Sequence, residues 1–394
     1  MRAATLPGSV NDDSQGKEDT KKVESKKLEI QPVLGAALPE VAHFLHSWHA
    51  HRDQESPVEH LVREDSPSIE RRLRWLQWLL AENPLTVAAT PYGLCVRDAS
   101  GVIVGLLLSF PGAFLAGDQR LLGLGSGSFF VEPPARTLGF YLFKRYLNSP
   151  GYAFFFSTTC NANSGALWAK LGACAVPKSD VEYVLPLKLD VMLPFFLAGR
   201  TSSSLAAELA RLVGRCANPV LQLLTRQSAE LTIEPCRDWE KLAELFRRHR
   251  SAHRITTDRS SVFLQWRYGP SAHNHPFDIC VFRDKLGNEG WFALGSVTRE
   301  LQRRIRGCVL LDAIWPRERM SFRDILPAIL RRVASKADAI FFQPRPGLDY
   351  GECSRWVIPC RLEAPKVFAI PRKGGAPFAA SALDLVPADG DGYF

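Results

Sequence analysis

The chain has 394 residues, of which 46% are hydrophobic and 23% charged, with a net charge of +8. That length exceeds one ordinary core and implies two or three domains of a globular protein, which excludes collagen-like and wholly disordered classes. The longest apolar run, near Val191–Ala198, is too short to span a bilayer, no secretory signal opens the chain, and the nine scattered cysteines lack any Cys-x-x-Cys pair, so a cytoplasmic, reducing setting is expected, without a zinc site or disulfide framework.

Residues 1–27 are polar and without apolar periodicity, and are expected to be a disordered lead-in. A strand at 28–33 precedes a helix at 39–50, where Val41, Phe44, Leu45 and Trp48 share a face. A second helix is expected at 67–82 behind a Ser66-Pro67 start, with Ile69, Leu73, Leu76 and Leu80 on one stripe. Strands follow at 86–90, 94–97 and 102–110, with Asp98-Ala-Ser-Gly101 as a hairpin turn. A strand at 121–131, a helix at 136–148, a strand at 152–158, a helix at 163–171 and a closing strand at 180–187 complete a first unit, 28–187.

A helical connector, 188–228, carries apolar residues at Leu205, Leu209, Leu212 and Val213. The pattern then restarts over 229–371: a strand at 231–235, a helix at 238–250, a meander at 277–283, 290–299 and 306–315, a helix at 321–336 and a strand at 339–343. The same order of elements twice reads as a structural duplication in a mixed α/β protein. Residues 372–394, rich in Gly, Ala, Pro and Asp, are expected to be a disordered tail.

Two stretches carry chemistry. In Phe129-Phe130-Val131-Glu132-Pro133-Pro134-Ala135-Arg136-Thr137-Leu138-Gly139 an apolar strand turns into a helix through an Arg-x-x-Gly corner. Backbone N–H groups at a helix start lack intrahelical acceptors and, with the helix dipole, suit a pyrophosphate. Twenty-five residues beyond Arg136, Asn161 opens Asn-Ala-Asn163-Ser164, with Asn163 or Ser164 as a helix cap and Gly172 at the helix end.

These stretches resemble the GNAT superfamily of N-acyltransferases over about residues 28–187. Val131-Glu-Pro133 with Arg136-Thr-Leu-Gly139 matches the family's cofactor turn. Asn161, Ser164, Leu167, Lys170 and Gly172 match its later helix, and Asp98, Gly101, Val104 and Gly105 its hairpin. The resemblance implies tandem GNAT-like folds and acetyl-CoA or another acyl-CoA held by Phe130, Val131, Arg136, Thr137, Leu138, Gly139, Phe140, Tyr141, Asn161 and Ser164. It also implies direct attack by an amine on the thioester, with N–H groups near Phe129–Val131 as the oxyanion site.

Three departures stand out. Tyr141 replaces the turn's second glycine or alanine, Trp168 replaces a tyrosine that protonates the leaving thiolate, and the strand 121–131 holds no Asp or Glu, only Ser126 and Ser128 as polar side chains. An indole N–H cannot protonate a thiolate. The catalytic groups therefore stay unassigned.

The second unit lacks a phosphate turn: Trp315-Pro-Arg317-Glu-Arg319-Met320 has no glycine. Its distinctive segment is Asp258-Arg-Ser-Ser-Val-Phe263-Leu264-Gln-Trp266-Arg267-Tyr268, similar to segments of tandem GNAT-like proteins linked to bacterial polysaccharide biosynthesis. Asp258, Trp266 and Arg267 are candidate contacts for a small-molecule, glycan or peptide acceptor; the alternative is an aromatic core helix with an internal ion pair. His249, His253, His273 and His275 cluster without a third metal ligand, so no metal is expected. Arg247, Arg248, Arg250, Arg303, Arg304 and Arg306 read as solvated faces. No DNA partner is expected. tRNA enters only under a rival resemblance, to peptidoglycan-bridge aminoacyl transferases, which also pair GNAT-like domains; an inactive CoA-binding scaffold is a further rival.

Overall fold

The computed structural model describes residues 28–55, 68–87, 90–198, 204–225, 231–270, 277–301, 303–345, 357–375 and 379–390. β1 (Glu29–Pro32) leads into α1 (Leu38–Glu55) and α2 (Ile69–Leu76), which widens into a π-helical turn at Gln77–Ala81. β2 (Gly93–Arg97), β3 (Ile103–Ala116), β4 (Gln119–Val131), α3 (Arg136–Leu147), β5 (Phe154–Ser157), α4 (Ala162–Lys170), β6 (Cys174–Ala175) and β7 (Val181–Pro186) follow. α5 (Leu189–Ala198) and α6 (Ser204–Thr225) form the connector. The second run is β8 (Thr232–Pro235), α7 (Trp239–His249), β9 (Ile255–Thr257), α8 (Ser261–Tyr268), β10 (Asp278–Arg283), β11 (Glu289–Leu301), β12 (Arg303–Ile314), α9 (Phe322–Val333) and β13 (Ala339–Phe342). β14 (Ile358–Arg361), β15 (Phe368–Pro371) and β16 (Leu383–Asp384) end the chain's regular structure.

Local chemistry accounts for most boundaries. The turn between β2 and β3 is held by the Asp98 carboxylate, which accepts the N–H groups of Ser100 and Val102 at 2.9 and 3.0 Å, and Gly101 takes the left-handed φ of 85°. The N-cap of α2 is Ser68, which accepts from Arg71 N; the expected Ser66-Pro67 start lies outside the described residues, as do residues 1–27. Of the expected strand at 86–90, residues 88 and 89 lie outside the described residues, and residues 86, 87 and 90 are not in a strand. Thr86 instead closes a turn, its hydroxyl donating to the Leu80 carbonyl at 2.7 Å, because the π-helical turn leaves that carbonyl open.

Two mixed sheets result. One runs β1-β2-β3-β4-β5-β15-β6, with β9 and β16 attached to the far end of β3; the other runs β8-β10-β11-β12-β13-β7-β14. Position by position the two orders match, β1 with β8, β4 with β12 and β5 with β13, so the duplication is present in the topology. The sixth strand of each sheet comes from the other half. β7 pairs with β13 and β14 in the second sheet, while β15 returns to pair with β5 in the first. Each sheet therefore draws strands both from residues 28–187 and from residues 229–371. β7 is buried along almost its whole length, as expected for a strand between two neighbours rather than at an edge.

The expected disorder of 372–394 is also corrected over 379–390. Leu383, Leu385, Val386 and Ala388 are buried, and β16 pairs in parallel with β9. Low hydrophobicity averaged over the tail hid an apolar Leu-Asp-Leu-Val segment that finds a strand partner.

Three apolar clusters hold the layers together. α3 and α4 cover one face of the first sheet through Leu142, Phe143 and Trp168, and α9 covers one face of the second through Ile325 and Ile329. The remaining faces share one cluster, with Phe114 and Phe156 from the first sheet and Trp291 and Phe341 from the second. At its centre Trp78 and Trp266 stack at 5.3 Å, each indole N–H donating to the other residue's carbonyl at 2.9 Å. Both buried donors are thereby satisfied across the two halves.

Because β15 completes the first sheet, a fragment of residues 28–187 is expected to show no cooperative thermal transition, and mixing it with 188–394 should restore one. Calorimetry and near-ultraviolet circular dichroism check this; a cooperatively melting 28–187 fragment would refute the exchange.

Candidate functional site

β4 and β5 run parallel and paired only from Gly123 opposite Phe154 to Ser126 opposite Ser157. β5 then stops, while β4 continues on β3 to Val131 and Glu132 N–H still donates to Val104 O at 2.9 Å. The parallel strands thus open into a wedge. A bulge sits at its mouth. Leu106 faces Phe130 and Leu108 faces Gly127, so Ser128 and Phe129 together oppose Leu107. Ser128 has a φ of 49°, the left-handed region. A bulge leaves a backbone group out of the ladder and turns it elsewhere.

The sequence produces this shape through small residues and one tyrosine. A Cβ on Gly123 would come within 2.8 Å of Phe114 and Phe154, and one on Gly125 within 2.5 Å of Phe110, so these glycines let aromatic rings lie flat against β4. Tyr146 of α3 reaches up beneath the last paired stretch. Its hydroxyl donates to Leu124 O at 2.5 Å and lies 3.3 Å from Phe156 O. Burial holds its pKa well above the ordinary value, so it stays a neutral donor. Tyr146 and the bulge were not singled out in the sequence; the alternation Gly123, Gly125, Gly127 was the available signal.

After β4, Pro133–Ala135 make one 3-10 turn in which Ala135 N–H donates to Glu132 O and Arg136 N–H to Pro133 O. The two prolines have no N–H. The second and third residues of α3, Thr137 and Leu138, carry the N–H groups that helix geometry leaves without an intrahelical acceptor. Arg136 and Thr137 are exposed beside them. Gly139 is buried, and a Cβ there would meet Phe129 at 3.3 Å and Val131 at 3.5 Å. Its missing side chain lets α3 approach the end of β4. Phe140 and Tyr141, half-exposed, lie edge to face at 6.1 Å.

At the head of α4, Asn161 is the N-cap, in place of the expected Asn163 or Ser164. Its side-chain oxygen accepts Ser164 N–H at 2.9 Å and the Ser164 hydroxyl accepts Asn161 N–H at 3.0 Å. The two are engaged with each other and fix the helix start. Gly172, φ 90°, ends the helix as expected. Trp168 is buried, edge-on to Phe143 and Tyr146.

The other candidates separate. Asp258 faces Arg120 at 3.5 Å rather than Arg267. Trp266 is locked to Trp78, and Arg267, 1% exposed, lies over the Trp78 and Trp266 rings at 5.0 and 5.3 Å while donating to the Gly390 carbonyl. Gly390 is pressed against Thr158, just past the end of β5. Arg267 therefore ties the C-terminal segment into the core. His273 and His275 lie outside the described residues, and no group of three metal-ligating side chains occurs among the described residues.

In the second sheet the matching wedge is closed. β12 and β13 pair only from Gly307 to Val309. Arg345 then donates to Ala313 O at 2.7 Å and grips Asp384 of β16 through Nε and Nη2 at 3.0 and 3.1 Å. α9 carries its own carboxylate at its start, Asp324, which accepts Ser321 N–H at 2.8 Å. A helix N-terminus already holding an acid repels a phosphate.

No protein-family model matches the chain, and no curated protein matches it. Solved structures do match in fold. A conserved protein of Enterococcus faecalis V583, described as a probable N-acyltransferase, is 10% identical, with a TM-score of 0.52 over 88% of this chain and 73% of its own. A GCN5-related N-acetyltransferase from Anabaena variabilis ATCC 29413 aligns equally, at 10% identity and TM-score 0.52 over 88% and 74%. Saccharomyces cerevisiae N-myristoyltransferase with bound myristoyl-CoA aligns at 10% identity and TM-score 0.50 over 80% and 72%. The fold is that of the GNAT-like acyltransferases.

Ser128 in the left-handed region predicts that Ser128→Val lowers stability by about 1–2 kcal/mol while Ser128→Gly does not, measured by denaturant titration. Arg267→Ala is expected to cost roughly 1.5–3 kcal/mol through its lost charged hydrogen bond; an unchanged melting temperature would contradict the role given to it here.

Proposed function

We propose that the chain is an N-acyltransferase that moves an acyl group from acyl-CoA, with acetyl-CoA as the simplest donor, to an amine. The observation that carries this reading is the wedge between β4 and β5, with a bulge at its mouth and an open helix start beside it. The N–H groups of Thr137 and Leu138, with Arg136, would receive the pyrophosphate. The pantetheine arm would enter beyond the paired stretch of the two strands, and backbone N–H groups near Phe129–Val131, next to the bulge, would donate hydrogen bonds to the thioester oxygen. The amine attacks the carbonyl carbon, the C–S bond breaks, the thiolate leaves as CoA, and the amine's proton passes to solvent. Catalysis in such a site is mainly positioning.

Phe140 and Tyr141 flank the helix start, and Asn161 and Ser164 act by fixing the head of α4. The acceptor is an amine on an amino sugar or a cell-envelope precursor, and the second half supplies part of its wall. A second reading, a CoA-binding scaffold without turnover, is favoured by one fact: Trp168, 1% exposed, stands where a proton donor is expected.

Calorimetry with acetyl-CoA on the whole chain is expected to give one site per chain, because α9 bears Asp324 at its start. Arg136→Glu should weaken binding at least tenfold, ~1.4 kcal/mol, with an unchanged melting temperature. Binding of aminoacyl-tRNA without CoA affinity would replace this reading by the tRNA-dependent one, and acetyl-CoA binding without acetylation of any amine would leave the scaffold.

A further inference from the structure

A surface helix of a globular protein ordinarily turns its apolar stripe inward. α6 does the reverse. Leu205, Leu209, Leu212 and Val213 are between 55 and 70% exposed, and Cys216 is exposed beside them. The helix meets α5 with other residues. Gly214 is buried, and a Cβ there would come within 2.4 Å of Asp190 N. One turn further, Asn218 accepts Leu189 N–H at 2.7 Å and donates to the Asp190 carboxylate at 2.7 Å. One turn before, Ala210 is buried. At 3.6 residues per turn, Ala210, Gly214 and Asn218 lie opposite the leucines. α5 turns its own apolar face to the core, where Met192 is fully buried and Val191, Phe195 and Phe196 pack against the same cluster. Specific contacts thus fix the rotation of α6, and that rotation leaves its leucine stripe outward.

The stripe has the spacing of a helix-on-helix seam. Leu205, Leu209, Leu212 and Cys216 recur at intervals of four, three and four, the 3.5-residue repeat that keeps one line of side chains facing a second helix. Both signs of charge edge it. Glu208 precedes Leu209 and is 59% exposed while holding Arg211 at 3.0 Å within the helix. Arg215, exposed, precedes Cys216. A helix that lies on a membrane surface carries cations on its polar face; an acid and a base one heptad apart along one edge suit a protein partner.

We propose that α6 docks against α6 of a second copy of this chain, antiparallel, about a twofold axis passing between Leu209 and Leu212. Leu209 of each copy then packs on the partner's Leu212, and Leu205 on the partner's Cys216. Glu208 comes beside the partner's Arg215, and symmetry forms that pair twice, the self-complementary pattern a twofold contact requires. Sliding the helices by one heptad sets Arg215 against the partner's Arg215, and a parallel pair sets Glu208 against the partner's Val213, so the charges select this register. The seam from Leu205 to Cys216 is about 17 Å long. Its length places the contact at the small end of specific interfaces, and the dimer dissociates on dilution.

Sedimentation velocity and light scattering on the whole chain, over roughly a hundredfold range of concentration, read the association. A monomer–dimer equilibrium is expected. Leu209→Glu, at an exposed position, should leave the melting temperature of dilute protein unchanged and weaken dimerisation at least tenfold. Glu208→Arg and Arg215→Glu should each weaken it likewise, and the two together should restore it, which neither a parallel pair nor the shifted register allows. A monomer at every concentration would overturn the proposal. So would a dimer indifferent to Leu209→Glu, or a charge exchange that fails to restore association. Flotation with phosphatidylglycerol–phosphatidylcholine vesicles tests the other occupant: vesicle binding that Leu209→Glu removes would assign the stripe to a membrane surface and overturn the dimer.

Discussion

Neither sheet can be completed by its own half of the chain. A parallel strand such as β5 or β13, flanked on one side only, would present a row of unsatisfied N–H and C=O groups, and the exchange of β7 and β15 closes both rows at once. Much else follows from that requirement. The two halves are held face to face, their inner surfaces merge into one apolar cluster, and Trp78 and Trp266 can satisfy each other across the seam.

The exchange also brings the segment 379–390 against the core. After β15 the backbone crosses to β9, lays β16 beside it, and finishes under Arg267 next to Thr158. Two of the cations it meets are buried, Arg259 near Asp389 and Arg345 on Asp384, and the partly exposed Arg317 shares the Asp384 carboxylate. Buried ion pairs of this kind contribute little net stability over apolar packing, but removing one partner leaves an uncompensated charge. They fix where the segment sits more than how strongly. The same segment separates the two wedges in character. In the first sheet the parallel strands unpair after Ser126 and Ser157, beside the start of α3. In the second, Arg345 and Asp384 fill the wedge, and Asp324 occupies the helix start.

Several features of this picture were legible in the sequence for reasons of local chemistry. The Asp98–Gly101 turn, the strand into Arg136–Gly139, the short α4 ending at Gly172 and the missing phosphate turn before α9 all depend on residues close together in the chain, where caps, glycine torsions and alternation act over a few positions. The repeated order of elements gave the duplicated α/β fold, and the glycine-less Trp315–Met320 turn already marked the second half as the altered copy.

Tertiary structure alone decided what depends on residues far apart. Whether β7 belongs to the first sheet or the second is a choice between two edges, and nothing within Val181–Pro186 distinguishes them. Arg267 reads in sequence as a possible contact with Asp258; in the fold Asp258 turns to Arg120, and Arg267 meets two tryptophans and Gly390. The Gly, Ala, Pro and Asp content of 372–394 predicted disorder, and Leu383–Val386 is ordered because β9 offers it an edge. The sequence by itself determined most elements of the two runs, their order and the turn at Arg136, since those arise from torsions and hydrogen bonds within a few residues; β9, β14, β15 and β16 escaped it. Which edges meet, which charges are buried together and which wedge stays open were set only when distant segments competed for the same unsatisfied backbone and the same limited interior.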